Sequence, residues 1–246
     1  MPKSPILSAA LAASVLALTA CSISNPSSSI PGAVAGNGDL SSLRDFASVE
    51  ATGPDDVIVT VGPAYKVTVE GDAKVLERLE IGVKNGTLYV GRKSRIGIMW
   101  SNDDEGATVR VTMPAMAAAS LTGSGNMKVD TVNGGRLALS LTGSGNIDLG
   151  KAKVGMLKVD TTGSGDLNIG GTADSATLSA TGSGGINAGA LKAGKAEIDI
   201  LGSGNVKLAS DGPVNVSIMG SGNADVRGKA QCKIKAMGSG EARCTA

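Results

Sequence analysis

The sequence contains no histidine, and only 2% of its residues are aromatic. The first absence excludes histidine-dependent catalytic triads and histidine-ligated metal sites. The second means that Val, Ile, Leu, Met and Ala must fill the core, because aromatic side chains usually supply much of its bulk. The formal net charge is only +1 and no basic cluster stands out, so we expect no nucleic-acid partner.

The tripeptide Gly-Ser-Gly, by contrast, occurs seven times at intervals of 18 to 20 residues. A repeat this regular indicates one small structural unit that is stacked many times. We interpret the serine as a turn residue, because it does not fit the G-x-S-x-G nucleophile motif and seven nucleophiles would serve no purpose. The repeats begin at Gly123, Gly143, Gly163, Gly182, Gly202, Gly220 and Gly238.

Apolar and polar residues alternate on both sides of each Gly-Ser-Gly. After the second copy, Ile147 and Leu149 flank Asp148, and before the third copy Leu157 and Val159 flank Lys158. Period-two alternation is typical of a strand with one buried face. Each unit therefore reads as strand, turn, strand, turn, within about 20 residues.

Two architectures satisfy this pattern: a parallel β-helix with one coil per unit, or a series of antiparallel hairpins. Gly-Ser-Gly can adopt positive φ and pack backbone against backbone, so identical turns could stack in register. Hairpins would favour Asn-Gly or Asp-Gly turns, which are scarce in the repeats. We therefore predict an all-β fold, a parallel β-helix (solenoid) of about 20-residue coils.

The residue after Gly-Ser-Gly is usually polar, which allows a stacked row of side-chain amides at the turn or an array of calcium sites. We favour the amide row, because the calcium-binding Gly-Gly-x-Gly-x-Asp repeat is absent. The other carboxylates are scattered among Lys and Arg without an obvious pair, so we expect no catalytic residues, no metal and no cofactor. The seven positions are Asn126, Asn146, Asp166, Gly185, Asn205, Asn223 and Glu241.

The segment before the repeats, residues 38–115, is also β-rich. It contains a possible short helix within 71–79 with Asp72 as N-cap, a predicted hairpin around Asn85-Gly86, and a strand at 108–113. We interpret it as the first coils or an N-terminal cap that covers the apolar end of the solenoid. Residues 96–100, which include the only Trp, precede an acidic run and form either an apolar plug or a ligand-binding loop.

The N-terminus reads as a targeting segment. Lys3 precedes an apolar stretch too short to span a bilayer, which ends in Leu-Thr-Ala followed by Cys21. This resembles the lipobox of bacterial lipoproteins, in which the cysteine carries lipid; the alternative is a plain secretory signal. In that pattern Ser22 favours the outer membrane. Residues 22–37 are rich in Ser, Pro, Gly and Asn, as expected of a flexible tether.

The two remaining cysteines, Cys232 and Cys244, fall on inward positions of the last unit. An even pair in an exported protein predicts a disulfide, because the compartment is oxidising. The alternative is a pair of buried thiols. A bridge at this place would fix the end of the stack, where the next coil is missing.

The β-rich lead-in, the stretch Asn85-Gly86-Thr87-Leu88-Tyr89-Val90 and the repeats behind it resemble the putative auto-transporter adhesin, head GIN domain family of bacterial envelopes. The resemblance covers about residues 44–244 and implies a right-handed parallel β-helix. It brings no catalytic residues. The expected organisation is a lipoprotein signal peptide (1–20), a tether (21–37) and one β-helix domain (38–246), with repeat coils from 116.

The function predicted from these features is that of a non-catalytic envelope lipoprotein, which is anchored in the membrane by lipid and binds a surface glycan or protein. Two alternatives stay open. One is a β-helix enzyme that acts on polysaccharides, and the other is a scaffold in which an exposed strand edge pairs with a partner. The sequence does not indicate an oligomeric state.

Overall fold

The computed structural model describes residues 33–93 and 106–245, and it confirms the predicted parallel β-solenoid, with about six turns. Equivalent segments of successive repeats pair in parallel, such as Leu139 with Val159 and Val159 with Leu178. The hairpin alternative is therefore wrong for the repeats. Within the described ranges, no helix has the length and apolar character needed to cross a bilayer.

The elements before the repeats are seven strands and one helix. In chain order they are β1 (Val34–Ala35), β2 (Ser48–Gly53), β3 (Asp56–Val61), β4 (Lys66–Glu70), α1 (Ala73–Arg78), β5 (Leu79–Lys84), β6 (Thr87–Arg92) and β7 (Thr108–Met113).

The repeats contain ten further strands. They are β8 (Ala118–Gly123), β9 (Asn126–Gly143), β10 (Asn146–Gly163), β11 (Leu167–Gly182), β12 (Ile186–Gly202), β13 (Asn205–Ser210), β14 (Pro213–Gly220), β15 (Asn223–Arg227), β16 (Gln231–Gly238) and β17 (Ala242–Thr245).

The strands β9 to β12 each follow a whole coil, with 16 to 18 residues, so the predicted division into strand, turn and strand is wrong there. The predicted turn in β9 pairs with the next coil, Asn133 with Lys153 and Gly134 with Val154. The reason is that the bends of a solenoid stack as the straight parts do, so bend residues also have partners one coil away. Only the last coils have the predicted two separate strands.

The interior is aliphatic, as the shortage of aromatic residues predicts. One inward row runs through five coils, and each of its side chains is at most 2% exposed. Complete burial of such a side chain contributes about 1.5–3 kcal/mol. The row consists of Leu139, Val159, Leu178, Ile198 and Val216.

The lead-in forms an N-terminal cap in which the coils do not stack in chain order. Strand β2 lies between β6 and β8, and β3 lies between β7 and β9, all in parallel. The antiparallel strands β4 and β5 cover β7 and β6, and β1 covers β5. From the first coil, β2 and β3, the chain runs outward to β4 and β5. It then returns as β6 and β7, which lie between those strands and the first coil, because the antiparallel turns reverse its direction.

The local predictions for this segment are confirmed. Helix α1 begins after Asp72, whose carboxylate accepts a hydrogen bond from the backbone N–H of Lys74. Asn85 and Gly86 have φ of 52° and 73° at the turn between β5 and β6. Strand β1, however, falls within the predicted tether, so the folded chain begins before residue 38. The segment with Trp100 and the acidic run lies outside the described residues.

The cap also contains a turn equivalent to Gly-Ser-Gly that the sequence pattern did not reveal. Gly53 pairs in register with Gly123 and has φ of 115°. The following residues, Pro54 and Asp55, take the places of Ser and Gly. Asp55 is 3% exposed and accepts hydrogen bonds from Arg92, at 2.6 and 2.8 Å, and from the backbone N–H of Ala107. This carboxylate therefore ties the first turn to the cap.

Candidate functional site

The Gly-Ser-Gly turns stack into one corner of the solenoid. The first glycine of every copy has φ between 111° and 132°, a conformation that side-chain-bearing residues rarely adopt. The backbone N–H groups of Ser144 and Gly145 both donate to the carbonyl oxygen of Gly123 one coil away, at 2.9 and 3.0 Å. The glycines thus have a structural role, and each serine between them is exposed.

A row of side-chain hydrogen bonds runs beside this corner. The Nδ2 of Asn146 donates to Oδ1 of Asn126 at 3.0 Å, and the backbone N–H of Asp166 donates to Oδ1 of Asn146 at 3.1 Å. The row begins in the cap, where Asn126 donates to Asp56. The stacked-amide interpretation therefore agrees with the structure. Across 33–93 and 106–245, no three acidic or cysteine side chains are grouped as metal ligands.

We predict that Asn146→Ala lowers the free energy of unfolding by about 1 kcal/mol, because it removes both hydrogen bonds of this amide. Chemical denaturation measures the change. Asn133→Ala is the matched control, since Asn133 is exposed at the bend of the neighbouring coil, and its effect should stay within about 0.5 kcal/mol. A loss of stability on adding a calcium chelator would instead support the calcium array.

The outward faces of the last coils combine opposite charges. Glu197, Asn215 and Lys233 form one outward row, and Asp199, Ser217 and Lys235 form the next. These six residues line a shallow depression of about 390 Å³. The face can therefore offer carboxylates, neutral hydrogen-bonding groups and ammonium groups to a ligand within three coils.

A second depression, of about 440 Å³, lies on the face formed by β15 and β17. It has two exposed ion pairs, Arg227 with Asp225 at 3.3 Å and Arg243 with Glu241 at 2.8 Å. Both arginines of this depression are therefore already paired with a carboxylate two residues earlier in the chain. The sequence analysis singled out Asn223 and Glu241, which line the second depression, but it did not identify the charged rows of the first.

Two exposed carboxylates elsewhere have lowered pKa values through hydrogen-bonded cations. A hydrogen bond from Lys192 lowers the pKa of Asp211, and the backbone N–H of Lys229 adds to the effect. A hydrogen bond from Arg110 lowers the pKa of Glu70. In both cases the neighbouring cation stabilises the ionised form of the carboxylate.

A third outward row lies next to the glycine corner and changes character along the solenoid. It has threonine in the earlier coils and Leu201, Met219 and Met237 in the last three, which are 52%, 54% and 67% exposed. We call these three residues the C-terminal ridge. The earlier members are Thr52, Thr122, Thr142, Thr162 and Thr181.

The predicted disulfide between Cys232 and Cys244 is present, with the Cα atoms 6.6 Å apart, so the free-thiol alternative is wrong. It joins β16 to β17 within the last coil. Both cysteines pack against the core but are only partly buried, because no described coil lies above them. The predicted lipid-attachment residue, Cys21, lies outside the described residues.

We predict that Cys232→Ser/Cys244→Ser destabilises the last coil by roughly 3 kcal/mol, because the bridge restricts the unfolded chain. Hydrogen exchange should accelerate in β16 and β17 and stay unchanged in β9 and β10. Reduction of the native protein is the matched treatment and should have the same local effect. Uniform acceleration throughout the solenoid would contradict this localisation.

Solved structures share this fold. A "putative adhesin" from Bacteroides fragilis NCTC 9343 has 21% identity and a TM-score of 0.76, over 83% of this chain and 94% of that chain. A "putative lipid binding protein" from Parabacteroides distasonis ATCC 8503 has 22% identity and a TM-score of 0.64, with the same coverage. A "putative adhesin" from Parabacteroides merdae ATCC 43184 has 20% identity and a TM-score of 0.61, over 83% and 93%.

No protein of curated function matches the chain significantly. A family model does match, over residues 45–230, which include the cap from its first coil onward and all but the last of the repeat coils. The matched residues contain six of the seven Gly-Ser-Gly corners. The chain therefore belongs to the family described as "Putative auto-transporter adhesin, head GIN domain".

Proposed function

We propose that this protein is a non-catalytic lipoprotein of the bacterial cell envelope, which presents a rigid β-solenoid for binding a surface glycan or protein. The observation that supports it most directly is the regular set of exposed rows on the coils. Side chains repeat about every 4.8 Å along each row, and most of them are polar. A ligand with repeating units can make many weak contacts with such a surface at once, and their combined effect gives useful affinity.

Family membership supports the coarser statement that this is an adhesin-like protein of the bacterial surface or envelope. The lipid anchor and the outer membrane belong to the proposal. They are supported by Cys21 and Ser22 at the end of the apolar N-terminal stretch. The 11 residues between Cys21 and the first described residue are long enough to reach roughly 40 Å. The solenoid would then stand clear of the lipid headgroups.

The lipid anchor has a direct test. We expect Cys21→Ser to move the protein from the membrane fraction to the soluble fraction, because without acyl chains it lacks the apolar anchor. Incorporation of labelled fatty acid should be lost at the same time. Cys244→Ser is the control, because it changes a cysteine outside the lipobox and should retain the label. Labelled fatty acid on the Cys21→Ser variant would contradict the assignment.

The binding role is tested with a soluble chain that begins near residue 33, so that β1 is retained. Arrays of glycans and of envelope proteins are probed at high density of the solenoid. We expect saturable binding at high density of the protein, and weaker binding when the molecules are presented at low density and bind one at a time. Absence of any ligand would argue for a scaffold role. Calcium-dependent cleavage of an acidic polysaccharide by the same chain would support the enzyme alternative.

A further inference from the structure

The two ends of the solenoid differ in how they are covered. At the N-terminal end β4, β5 and β1 cover the first coils. At the other end β16 pairs with β14 and β17 pairs with β15, and no strand within residues 33–93 or 106–245 pairs with their outer edges. The backbone N–H and C=O groups along those edges are therefore available to another strand.

The interior is also exposed at this end. Ile198, Val216 and Ile234 form one inward row, but Ile198 is 0% exposed and Ile234 is 44% exposed. Ala236, the next inward residue of β16, is exposed as well. An added strand would bury both side chains, as each coil buries those of the coil before it.

The C-terminal ridge extends this apolar surface around the edge of the face. Its three side chains are more than half exposed, although the same position has threonine in the earlier coils. Apolar residues replace polar ones in the three coils that lead up to the open edge, and adjacent exposed apolar side chains of this kind indicate an interaction surface. Met237 is the outermost member and lies on β16 itself.

Charge defines the partner. The outward residues of β16 between the ridge and the disulfide are Lys233 and Lys235. Two copies of this end paired face to face would bring four lysines together, so the lysines oppose self-association. A strand with acidic residues at those positions would instead form cross-strand pairs of opposite charge. The chain itself places Glu197 and Asp199 in these two rows.

We propose that the outer edge of β16 is a docking site for an extended segment of a protein partner, in which apolar residues alternate with acidic ones. The segment adds in parallel as one further strand. Its acidic residues lie opposite Lys233 and Lys235, its inward residues cover Ile234 and Ala236, and an apolar residue contacts Met237. This inference rests on the proposed binding role and assigns one partner class to one place on the surface.

The disulfide contributes by holding the edge in place before the partner arrives. Cys232, which follows Gln231 at the start of β16, is joined to Cys244 of β17. A strand that is already ordered loses little conformational freedom on binding, so more of the interaction free energy appears as affinity.

The segment Ala196–Gly202 supplies a probe, because its sequence AEIDILG has the required alternation. Binding of this labelled peptide to the soluble chain is measured by fluorescence anisotropy. The comparison peptide, AKIKILG, has lysine in place of both acids. We expect saturable binding of the acidic peptide, at least tenfold weaker binding of the basic one, and slower hydrogen exchange in β16 on binding.

The variant Lys233→Glu/Lys235→Glu should reverse this preference, so that the basic peptide binds at least tenfold more tightly than the acidic one. It is expected to fold, because Glu197 and Asp199 occupy the same two rows. The variant Leu201→Thr/Met219→Thr/Met237→Thr places at these positions the threonine of the earlier coils. It should weaken the binding of both peptides. Lys158→Glu is the control: Lys158 precedes Glu197 in the same row but lies away from the edge, so binding should not change.

The proposal is overturned by equal binding of the two peptides, by no saturable binding, or by the same loss in the Lys158→Glu control. Self-association of the chain through this edge in sedimentation experiments would overturn it as well. Failure of the binding role is distinguishable. If a glycan or protein found on the arrays binds but the acidic and basic peptides bind equally or not at all, the binding role stands and the docking site at β16 is wrong. If the arrays give no ligand, the binding role fails whatever the peptides do.

Discussion

Replacing Gly163 with alanine is expected to lower the free energy of unfolding by about 4 kcal/mol. Gly163 has φ of 122°, a region in which a residue with a side chain is strained by about 1–3 kcal/mol. A Cβ at this position would also collide with the backbone carbonyl of Gly143, one coil away. Overpacking of this kind costs a further 1–3 kcal/mol or so, because neither backbone can move without disturbing its own ladder.

Chemical denaturation followed by far-UV circular dichroism measures this loss. Gly134→Ala is the matched control, because Gly134 lies in the preceding coil at an exposed bend, where an added Cβ would meet nothing within 4 Å. Its effect should stay within about 0.5 kcal/mol. If the two variants were equally stable, the glycine corner would not be what sets the distance between coils.

The second large effect is expected at the buried ion pair of the cap. Arg92→Met should lower the free energy of unfolding by about 3–5 kcal/mol, because it leaves the carboxylate of Asp55 buried without its cation. The side chain of Asp55 is 2% exposed and that of Arg92 is 11% exposed. Since Asp55 occupies the place of a corner glycine, the change should loosen the contact between the first coil and the cap.

The exposed pair of Arg110 and Glu70 provides the comparison. It has the same bidentate geometry, but its side chains are 49% and 64% exposed. Arg110→Met should therefore cost far less than Arg92→Met, because water screens an exposed pair and solvates the carboxylate that is left behind. Hydrogen exchange should show the effect of Arg92→Met in β2, β3 and β6 before it reaches β12. A loss as small as that of Arg110→Met would mean that water reaches Asp55 and replaces the guanidinium.

These expectations bear on the proposed binding role, because the exposed rows can match a repeating ligand only while their spacing is regular. The rows of exposed side chains keep their period only while the corner glycines hold adjacent coils at backbone contact distance. A corner substitution that leaves the protein folded should therefore weaken the binding of a repeating ligand more than the binding of a peptide at β16. The β16 edge has its own disulfide and depends on the last coil alone.

Much of the fold could be predicted from the sequence because the information is local and repeated. Period-two alternation around Ile147 and Leu157 identifies the inward faces, and the nearly constant spacing of the glycines, 18 to 20 residues, fixes the register of the corners in neighbouring coils. The positions of Cys232 and Cys244 in that register then bring them together. Even the amide row follows, since residues such as Asn146 stack whenever their coils do.

The remaining features depend on pairings that have no repeated signal. The pairing of β6 with β2 and of β7 with β3 joins segments 37 to 52 residues apart. The segment Gly53-Pro54-Asp55 forms a corner of the solenoid there, although its sequence does not match Gly-Ser-Gly. Continuous strands through the bends, and the exposure of Ile234 and Met237 at one end, depend likewise on which neighbour each strand has. The sequence alone determined the coil and its two faces, because period and spacing act between adjacent units. Only the tertiary structure decided which coil is covered and which edge stays open, because that depends on where the stack begins and stops in space.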